Sequence, residues 1–417
     1  MPLSPRYMRN TSNKPRNIKY HNQKLILSMF RQKDILSITE IANQINLSKT
    51  TVTKVVNAFE AKGMVLATGK GSSTDTGGKK PELFAFNPSF SWVIVLTVSL
   101  KVITGALMDL KCNVITKQSA PCAPSLPYKE AVQVMADLIC SLTKGSELVL
   151  DKLHPVVIGC EGIIDANNGL IHYTIHHQWG QNLPLRDDLA NALPFPADIH
   201  VDNNLRLAGY ADMILNEHVY DSQVVISSTS YAGGSIMEHR QLIHGINGFV
   251  GEFGHMIVEP FSDVQCHCGG YGCFEAMVSP DTVLARAYRI FDDYPQSVLY
   301  QKARVHNLTM ADIFDASNEG DPFACALIDQ VVRYFTVVIH NVILLRDTAK
   351  IIIQGNYTAA GDYFLNKLRT AVNTLPFYKM KRDLPIGYSG VSPVNSYLVG
   401  AAYYGVNILL EIDSLYD

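Results

Sequence analysis

The chain has 417 residues, 47% of them hydrophobic and 18% charged, with a formal net charge of −3. That length predicts two or three domains, and so apolar a composition excludes a disordered chain. No uninterrupted apolar run approaches the roughly 20 residues of a membrane span, and the polar, basic start MPLSPRYMRNTSNKPRN lacks a signal core. No membrane association and a cytoplasmic address are therefore expected.

The charge is unevenly placed. Residues 1–86 hold 14 Lys+Arg against 5 Asp+Glu, and the remainder holds 21 against 33. A basic head on an acidic body suggests that the head meets a polyanion. After a basic arm over 1–17, Leu25, Ile26, Met29 and Phe30 have helical spacing. Ser37 and Glu40 read as a capping box opening a second helix with Ile38, Ile41, Ala42 and Ile45 on its apolar face. Asn46-Leu47 turns the chain, and Ser48 caps a third helix running to about Lys62, whose buried stripe is Val52, Val55, Val56 and Phe59.

The opposite face of that third helix carries Lys49, Thr50, Thr53, Lys54 and Asn57, with no acid among them. Lysines that reach phosphates, beside short polar arms that reach base edges, suit a recognition helix in a major groove. Two strands follow, at residues 64–67 and 82–86, joined by GKGSSTDTGGKKP. Three helices and this hairpin predict a winged helix-turn-helix over 18–88. Its candidate DNA contacts are Ser48, Lys49, Thr50, Thr53, Lys54 and Asn57 on the helix, and Gly78, Lys79 and Lys80 on the wing. A helical dimerisation module is the plainer alternative.

From Ser91 the pattern becomes α/β: a three-strand meander over SWVIVLTVSL, VITGALMDL and NVITKQ, then a helix at YKEAVQVMADLICSLTK and a buried strand at HPVVIGCEG. Strand IHVDNN leads into helix LRLAGYADMILNE, and VVISSTS and GSIMEHRQLI are strands. A long helix at FACALIDQVVRYFTVVIHNVILLR, a strand at KIIIQGN and a helix at SYLVGAAYYGVNILLEI close the chain. Strands followed by helices in each half predict two similar lobes around a cleft. The expected divisions are 89–203 plus a returning helix over 396–417 for the first lobe, and 204–395 for the second.

Of eight cysteines, Cys112, Cys122, Cys140, Cys160 and Cys325 are scattered and read as small buried apolar residues. Cys266, Cys268 and Cys273 cluster inside 251–279, GEFGHMIVEPFSDVQCHCGGYGCFEAMVS. Three thiolates with one imidazole, from His255 or His267, make a closed tetrahedral set of the structural zinc kind. With no ligand position left for water, a zinc hydrolase is not indicated. Free cysteines in a surface loop are the alternative.

With Gly251-Glu252-x-Gly254-His255 and Cys266-x-Cys268-Gly269-x-x-Gly272-Cys273-x-Glu275, the chain resembles the ROK family of repressors and sugar kinases over essentially its whole length. Gly159 to Asp165, Trp179, Asp202-Asn203 and Leu398 to Ala402 add to the match. The resemblance implies a winged head on an actin-like (ribonuclease H-like) two-lobed body. It favours His255 as the fourth zinc ligand, and it implies a sugar pocket formed by Glu252, His255, Glu275, Asn203 and the backbone near Gly162. Asn204 remains able to hydrogen-bond a sugar. Alternatively, Glu275 caps a helix and Asn203 holds a turn.

Three departures from the family's kinases concern the chemistry itself. The Asp-x-Gly-Gly-Thr turn is replaced around Thr97, Ser99, Leu100 and Lys101, and Gly-Thr-Gly-x-Gly is replaced by Ser228-Thr229-Ser230-Tyr231-Ala232. Asn204 stands where the catalytic aspartate belongs, and an amide is no base at neutral pH. The expectation is a sugar-responsive regulator, most simply a repressor, without phosphotransfer. It would bind operator DNA as a homodimer or tetramer and answer to a sugar or sugar phosphate. A bifunctional kinase, a regulator controlled by a protein partner, and a body kept only for dimerisation are the rivals.

Overall fold

The computed structural model describes residues 15–33, 35–71, 80–144, 154–174, 177–215, 220–376, 382–412 and 415–416. The expected arm falls largely outside them, as do Gly78 and Lys79 of the wing.

The head comprises α1 (Pro15–Gln32), β1 (Leu36–Ser37), α2 (Ile38–Ile45), α3 (Lys49–Ala61), β2 (Val65–Lys70) and β3 (Glu82–Phe86). Ser37 Oγ accepts from the Glu40 amide at 3.2 Å, and Glu40 Oε2 accepts from the Ser37 amide at 2.7 Å. Asn46 then adopts φ 55°, a left-handed turn that asparagine tolerates, and Ser48 Oγ accepts from the Thr51 amide at 3.1 Å to start α3. Val52, Val55, Val56 and Phe59 are buried, while β2 and β3 pair antiparallel with β1 beyond them.

The body holds two five-stranded sheets. The first orders its strands β11-β7-β4-β5-β6 and is built from β4 (Trp92–Val98), β5 (Val102–Asp109), β6 (Val114–Pro121), β7 (Pro155–Cys160) and β11 (Asp198–Asn203). The meander is antiparallel, whereas β7 lies parallel to both β4 and β11. Parallel strands need a crossover, and α4 (Tyr128–Thr143) and α5 (Leu185–Ala192) provide it. Between them, β8 (Ile163–Asp165), β9 (Leu170–Tyr173) and β10 (Gln181–Leu183) form a small sheet that sequence periodicity did not reveal, because strands of three or four residues are too short to show alternation.

Helix α6 (Asn204–Leu215) leads into the second sheet, ordered β14-β13-β12-β15-β16. Its strands are β12 (Ser222–Ser228), β13 (Ala232–Glu238), β14 (Gln241–Leu242), β15 (Ile351–Gly355) and β16 (Ile386–Tyr388). Helices α7 (Phe274–Val278), α8 (Pro280–Ile290), α9 (Val298–Ala303), α10 (Met310–Asn318), α11 (Pro322–Leu345) and α12 (Gly361–Thr374) precede the last strand, and α13 (Pro393–Glu411) follows it.

Among the described residues, α11 is the one helix long and apolar enough to cross a membrane. Asp329, Arg333 and His340 interrupt its sequence, so a search for unbroken apolar runs passes over it. Most of it is buried: Phe323, Leu327, Val331, Phe335 and Val342 fill the core of the second lobe, which marks it as an interior helix.

Helix α13 packs on α6, β4 and β7, returning the chain to the first sheet. The residues after it reach the head. Tyr416 sets its ring edge-on to Tyr20, with centroids 5.0 Å apart, and lies 6.3 Å from Phe59 of α3. Gln23 Nε2 donates to the Tyr416 carbonyl at 3.0 Å, Lys62 Nζ donates to the Leu415 carbonyl at 3.1 Å, and Lys24 pairs with Glu411. One apolar core runs from Phe59, Met64 and Phe86 through Val93 and Val95 to Leu398, Ala402 and Leu410.

Candidate functional site

The stretch after β14 is positioned from beneath by a buried cation. Arg206 is 1% exposed, and its guanidinium donates through Nε to Asp202 Oδ1 at 2.7 Å, through Nη1 to the Gly248 carbonyl at 2.7 Å and through Nη2 to the Ile164 carbonyl at 2.6 Å. His244 Nε2 lies 2.7 Å from Asp202 Oδ2. Burial would raise the Asp202 carboxyl, but Arg206 and then His244 outweigh it and hold it below the usual carboxylate value. A planar fork is what this site requires, since one guanidinium ties α6 to both the small sheet and the loop that presents Glu252.

Glu252 opens a single 3₁₀ turn, Phe253–His255, and the loop folds back on itself. The Cys266 amide donates to the Gly270 carbonyl at 2.8 Å, and the Val258 amide donates to the Gly272 carbonyl at 2.9 Å. Gly272 has φ +66°, and a Cβ there would stand 1.9 Å from the Glu259 carbonyl oxygen, so only glycine closes the loop. Cys273 then precedes α7, placing Glu275 in the first helical turn.

This folding brings one ligand atom each from His255, Cys266, Cys268 and Cys273 within 4.8 Å of one another. Cys268 Sγ and Cys273 Sγ are 3.7 Å apart, and Cys266 Sγ is 3.8 Å from His255 Nδ1. Ligand bonds of about 2.3 Å to sulfur and about 2.0–2.1 Å to nitrogen imply tetrahedral edges of roughly 3.6–3.8 Å. The four residues therefore fit a metal ion. Burial pushes the Cys266 and Cys273 thiols above their ordinary value, which a cation among them would reverse. His267 is exposed and lies outside the group.

Beside this cluster is a narrow pocket, whose roughly 280 Å³ of empty space includes open solvent. Glu252, His255 and Glu275 line one part of it, and Gly162, Asn203 and Tyr231 line another. Burial, and then the neighbouring Glu275, push Glu252 up to about 7, although Arg206 partly offsets them. Glu275 is buried, and its Oε2 accepts from the Ala232 amide at 2.7 Å. It thus clamps the metal loop to β13 rather than capping a helix.

Asn203 lines the cavity while holding a turn. Its Nδ2 donates to the Gly162 carbonyl at 2.8 Å, and its Oδ1 accepts from the Leu205 amide at 2.7 Å. Gly162 is at φ +121°, and a Cβ would come within 2.1 Å of the Tyr173 carbonyl oxygen. Asn204 is placed differently. It is fully buried behind the lining, and its Nδ2 donates to the Val98 carbonyl at 2.9 Å. Tyr231 is a buried residue of the lining, and burial, with Tyr397 of α13 nearby, raises its hydroxyl well above its ordinary value.

Thr97, Ser99, Leu100 and Lys101 belong to the tight β4–β5 hairpin, where the Ser99 amide donates to the Val102 carbonyl at 3.0 Å. Ser228 to Ala232 form the β12–β13 turn, closed by the Thr229 amide on the Tyr231 carbonyl at 2.9 Å. Arg206 carries no sequence signal of its own because it belongs to no spaced motif, and Tyr231 stands at the variable position of the replaced glycine turn, which says nothing of where its ring goes.

On the head, Lys49, Thr50, Lys54, Asn57 and Lys80 are exposed. Thr53 is half-buried, with Oγ1 donating to the Lys49 carbonyl at 2.8 Å, and Ser48 is occupied as the cap of α3. Lys49 and Lys54 are thus exposed on α3.

Residues 97–403 match the ROK family, and residues 21–65 match the winged helix-turn-helix DNA-binding pattern. A xylose repressor of Caldicellulosiruptor bescii is 25% identical over 373 residues, covering 89% of this chain and 92% of its own. A glucokinase of Halalkalibacterium halodurans is 26% identical over 282 residues, covering 67% of this chain and 84% of its own. Among solved structures, a ROK family transcriptional regulator, a homolog of the E. coli MLC protein, aligns with a TM-score of 0.73 at 22% identity over 94% of this chain and 98% of its own. The winged head on a two-lobed, actin-like body is thus the architecture found.

Proposed function

The chain belongs to the ROK family, and from that membership we propose that it is a cytoplasmic transcriptional repressor whose grip on operator DNA is set by a sugar bound beside a zinc ion. Three thiols and the His255 imidazole are the donor set zinc prefers in closed structural sites. Zinc supplies charge compensation for the thiolates and rigidity for the loop. With Nδ1 turned to the sulfurs, the imidazole keeps Nε2 for the cavity in a fixed tautomer. Glu252 and Glu275 add fixed acceptors, and Asn203 with the Gly162 backbone bounds the ligand on the other side. A polyol with hydroxyls on several faces suits that arrangement.

Phosphotransfer is not part of this reading. Asn204 is committed to the Val98 carbonyl and is an amide, so it offers no base for a sugar hydroxyl. Neither turn keeps the glycines by which the family's kinases approach nucleotide phosphates: Ser99 and Leu100 replace them in one, and Ser228, Ser230 and Ala232 in the other. Because a glucokinase is among the relatives, the discriminating assay is sugar-dependent ATP turnover, for which no activity above background is expected.

The observation that carries the reading is the single core joining head and body. The C-terminal segment that grips α1 and α3 continues α13, and α13 packs on the helix that begins at the Asn203 turn. A homodimer or tetramer would present two or more recognition helices to a palindromic operator, and a sugar preferring one arrangement of the lobes would shift their spacing. Titration of the full-length protein with operator DNA, with and without each sugar of a pentose and hexose panel, tests it. At least one sugar should weaken DNA binding, and Glu252→Gln should abolish the response while leaving DNA affinity in place.

A further inference from the structure

After β14 the chain from Ile243 to Gly251 forms a strap that crosses to the small β8–β9–β10 sheet before it delivers Glu252 to the cavity. Burial of apolar side chains is not what holds the strap down, since Ile246 is 86% exposed and Phe249 60% exposed. Polar pins hold it instead. His244 Nε2 lies 2.7 Å from Asp202 Oδ2 on β11, and Asn167 Nδ2 donates to the Gly245 carbonyl at 3.0 Å. Arg206 Nη1 donates to the Gly248 carbonyl at 2.7 Å and to the Val250 carbonyl at 3.2 Å. At Gly248 the strap comes so close to β8 that a Cβ would stand 2.1 Å from the Ile164 carbonyl oxygen, and that same oxygen accepts from Arg206 Nη2 at 2.6 Å.

Asp202, Arg206 and His244 make one unit. Asp202 Oδ1 accepts from Arg206 Nε at 2.7 Å while Oδ2 faces His244, and the side chains of Asp202 and Arg206 are each 1% exposed. None of the three lines the cavity, yet each stands directly behind residues that do. Asp202 precedes Asn203, Arg206 follows Leu205, and a Cβ on Gly251 would lie 3.6 Å from Arg206 Cγ. A buried ion pair adds little stability over an apolar replacement, so its place at this crossing points to fixing the arrangement of the parts. A group that contacts a ligand keeps its geometry only when the residues behind it are themselves locked.

We propose that Asp202, Arg206 and His244 are a latch that pins the strap and so positions Glu252, setting ligand affinity without touching the ligand. The positioning of Glu252 for a ligand rests on the reading of the cavity as a sugar site, whereas the pinning of the strap stands apart from it. Arg206 supplies the fork, Asp202 aligns it, and His244 closes the unit from the strap itself.

His244 is the residue to change, because replacing the fully buried Arg206 would threaten the fold. Its side chain is 17% exposed, and its ring stands edge-on to Tyr404 of α13 with centroids 6.1 Å apart. His244→Phe keeps a ring against Tyr404 but loses the bond to Asp202. His244→Gln gives up the ring and keeps an N–H donor at the matching distance from the backbone. Hydrogen exchange of the full-length protein, followed by mass spectrometry over residues 243–252, is paired with calorimetric titration of D-glucose, D-xylose and N-acetylglucosamine.

In His244→Phe the strap amides should exchange about tenfold faster, as loss of one hydrogen bond to a charged group implies, with exchange across α11 unchanged. The best-bound sugar should bind about fivefold more weakly. His244→Gln should stay within about twofold of wild type in both measurements, since it keeps the bond. Damage in His244→Gln with His244→Phe spared would assign the role to ring packing and overturn the inference, as would wild-type strap exchange in both variants. Faster strap exchange in His244→Phe with full sugar affinity overturns the positioning of Glu252 and leaves the sugar site standing. Failure of every sugar to bind the wild type overturns the sugar site and the positioning role with it, while the exchange rates still decide the pinning of the strap.

Discussion

Cys268 shows how a single residue can test a site. It is the exposed member of the metal group, so Cys268→Ser removes one ligand without opening the core. Metal content measured by mass spectrometry should fall below one ion per chain, and the melting temperature should fall with it. Undiminished metal and stability would exclude Cys268 as a ligand. Glu161 gives a prediction in pH. Burial raises its carboxyl to about 7 from an ordinary 4.5, with the nearby Tyr231 hydroxyl offsetting part of the rise. Between those values the unfolded chain gives up the proton before the folded one does. Stability must therefore decline as pH rises from about 4.5 to about 7, by up to about 3 kcal/mol, and level off above. Urea midpoints from pH 4.5 to 8 should show that slope in the wild type and a shallower one in Glu161→Gln. The metal group was legible in the sequence because glycine-spaced cysteines announce a closed loop. Arg206 and Tyr231 were not, because each acts on groups that only the fold brings near: carbonyls more than 40 residues away for Arg206, and α13 for Tyr231.

At the level of elements, the head was written openly in the sequence. The Ser37–Glu40 capping box, the Asn46 turn and the Ser48 cap are local, so each could be read from a few neighbouring residues. Ser37→Ala should cost about 1 kcal/mol, seen as a lower unfolding midpoint for the full chain with the metal still bound. Lys54→Ala and Lys80→Ala should weaken DNA binding about equally across sequences, and each should reduce the salt slope by about one. An unchanged slope in both would mean that α3 and the wing do not face phosphate. In the body, long buried strands and helices were legible from their apolar runs. The small β8–β9–β10 sheet and the short helices α9 and α10 were not, since such lengths leave weak periodicity, whereas α8 and α12 carry apolar residues at helical spacing (Val283 and Ala287; Phe364, Leu365, Leu368 and Val372) that went unread. Helix α11 shows the opposite hazard, a core element whose average composition mimics a membrane span until its burial is known.

Across the whole molecule, the joint between head and body decides whether a sugar can be felt at DNA. Attention to the linker near residues 86–92 is natural from sequence, yet a second connection comes from the other end of the chain. Gln23 and Tyr416, 393 residues apart, are hydrogen-bonded, and no local pattern could disclose it. Burial lowers the Arg31 guanidinium from its ordinary value at the same joint, where Cys112, Tyr210, Tyr403 and Tyr416 surround it. Tyr416→Ala removes the ring between Tyr20 and Phe59, so it should leave sugar affinity unchanged while reducing the sugar's effect on DNA binding. Loss of sugar binding itself would place Tyr416 in the fold rather than in the coupling. The most direct test of the central claim is fluorescence anisotropy of a DNA site selected from a random pool by the full-length protein, titrated with and without free sugars. The account predicts that one free sugar raises the dissociation constant at least fivefold, a coupling of about 1 kcal/mol, and that Glu252→Gln abolishes this shift. A DNA affinity indifferent to every sugar, including one shown by calorimetry to bind, would contradict it.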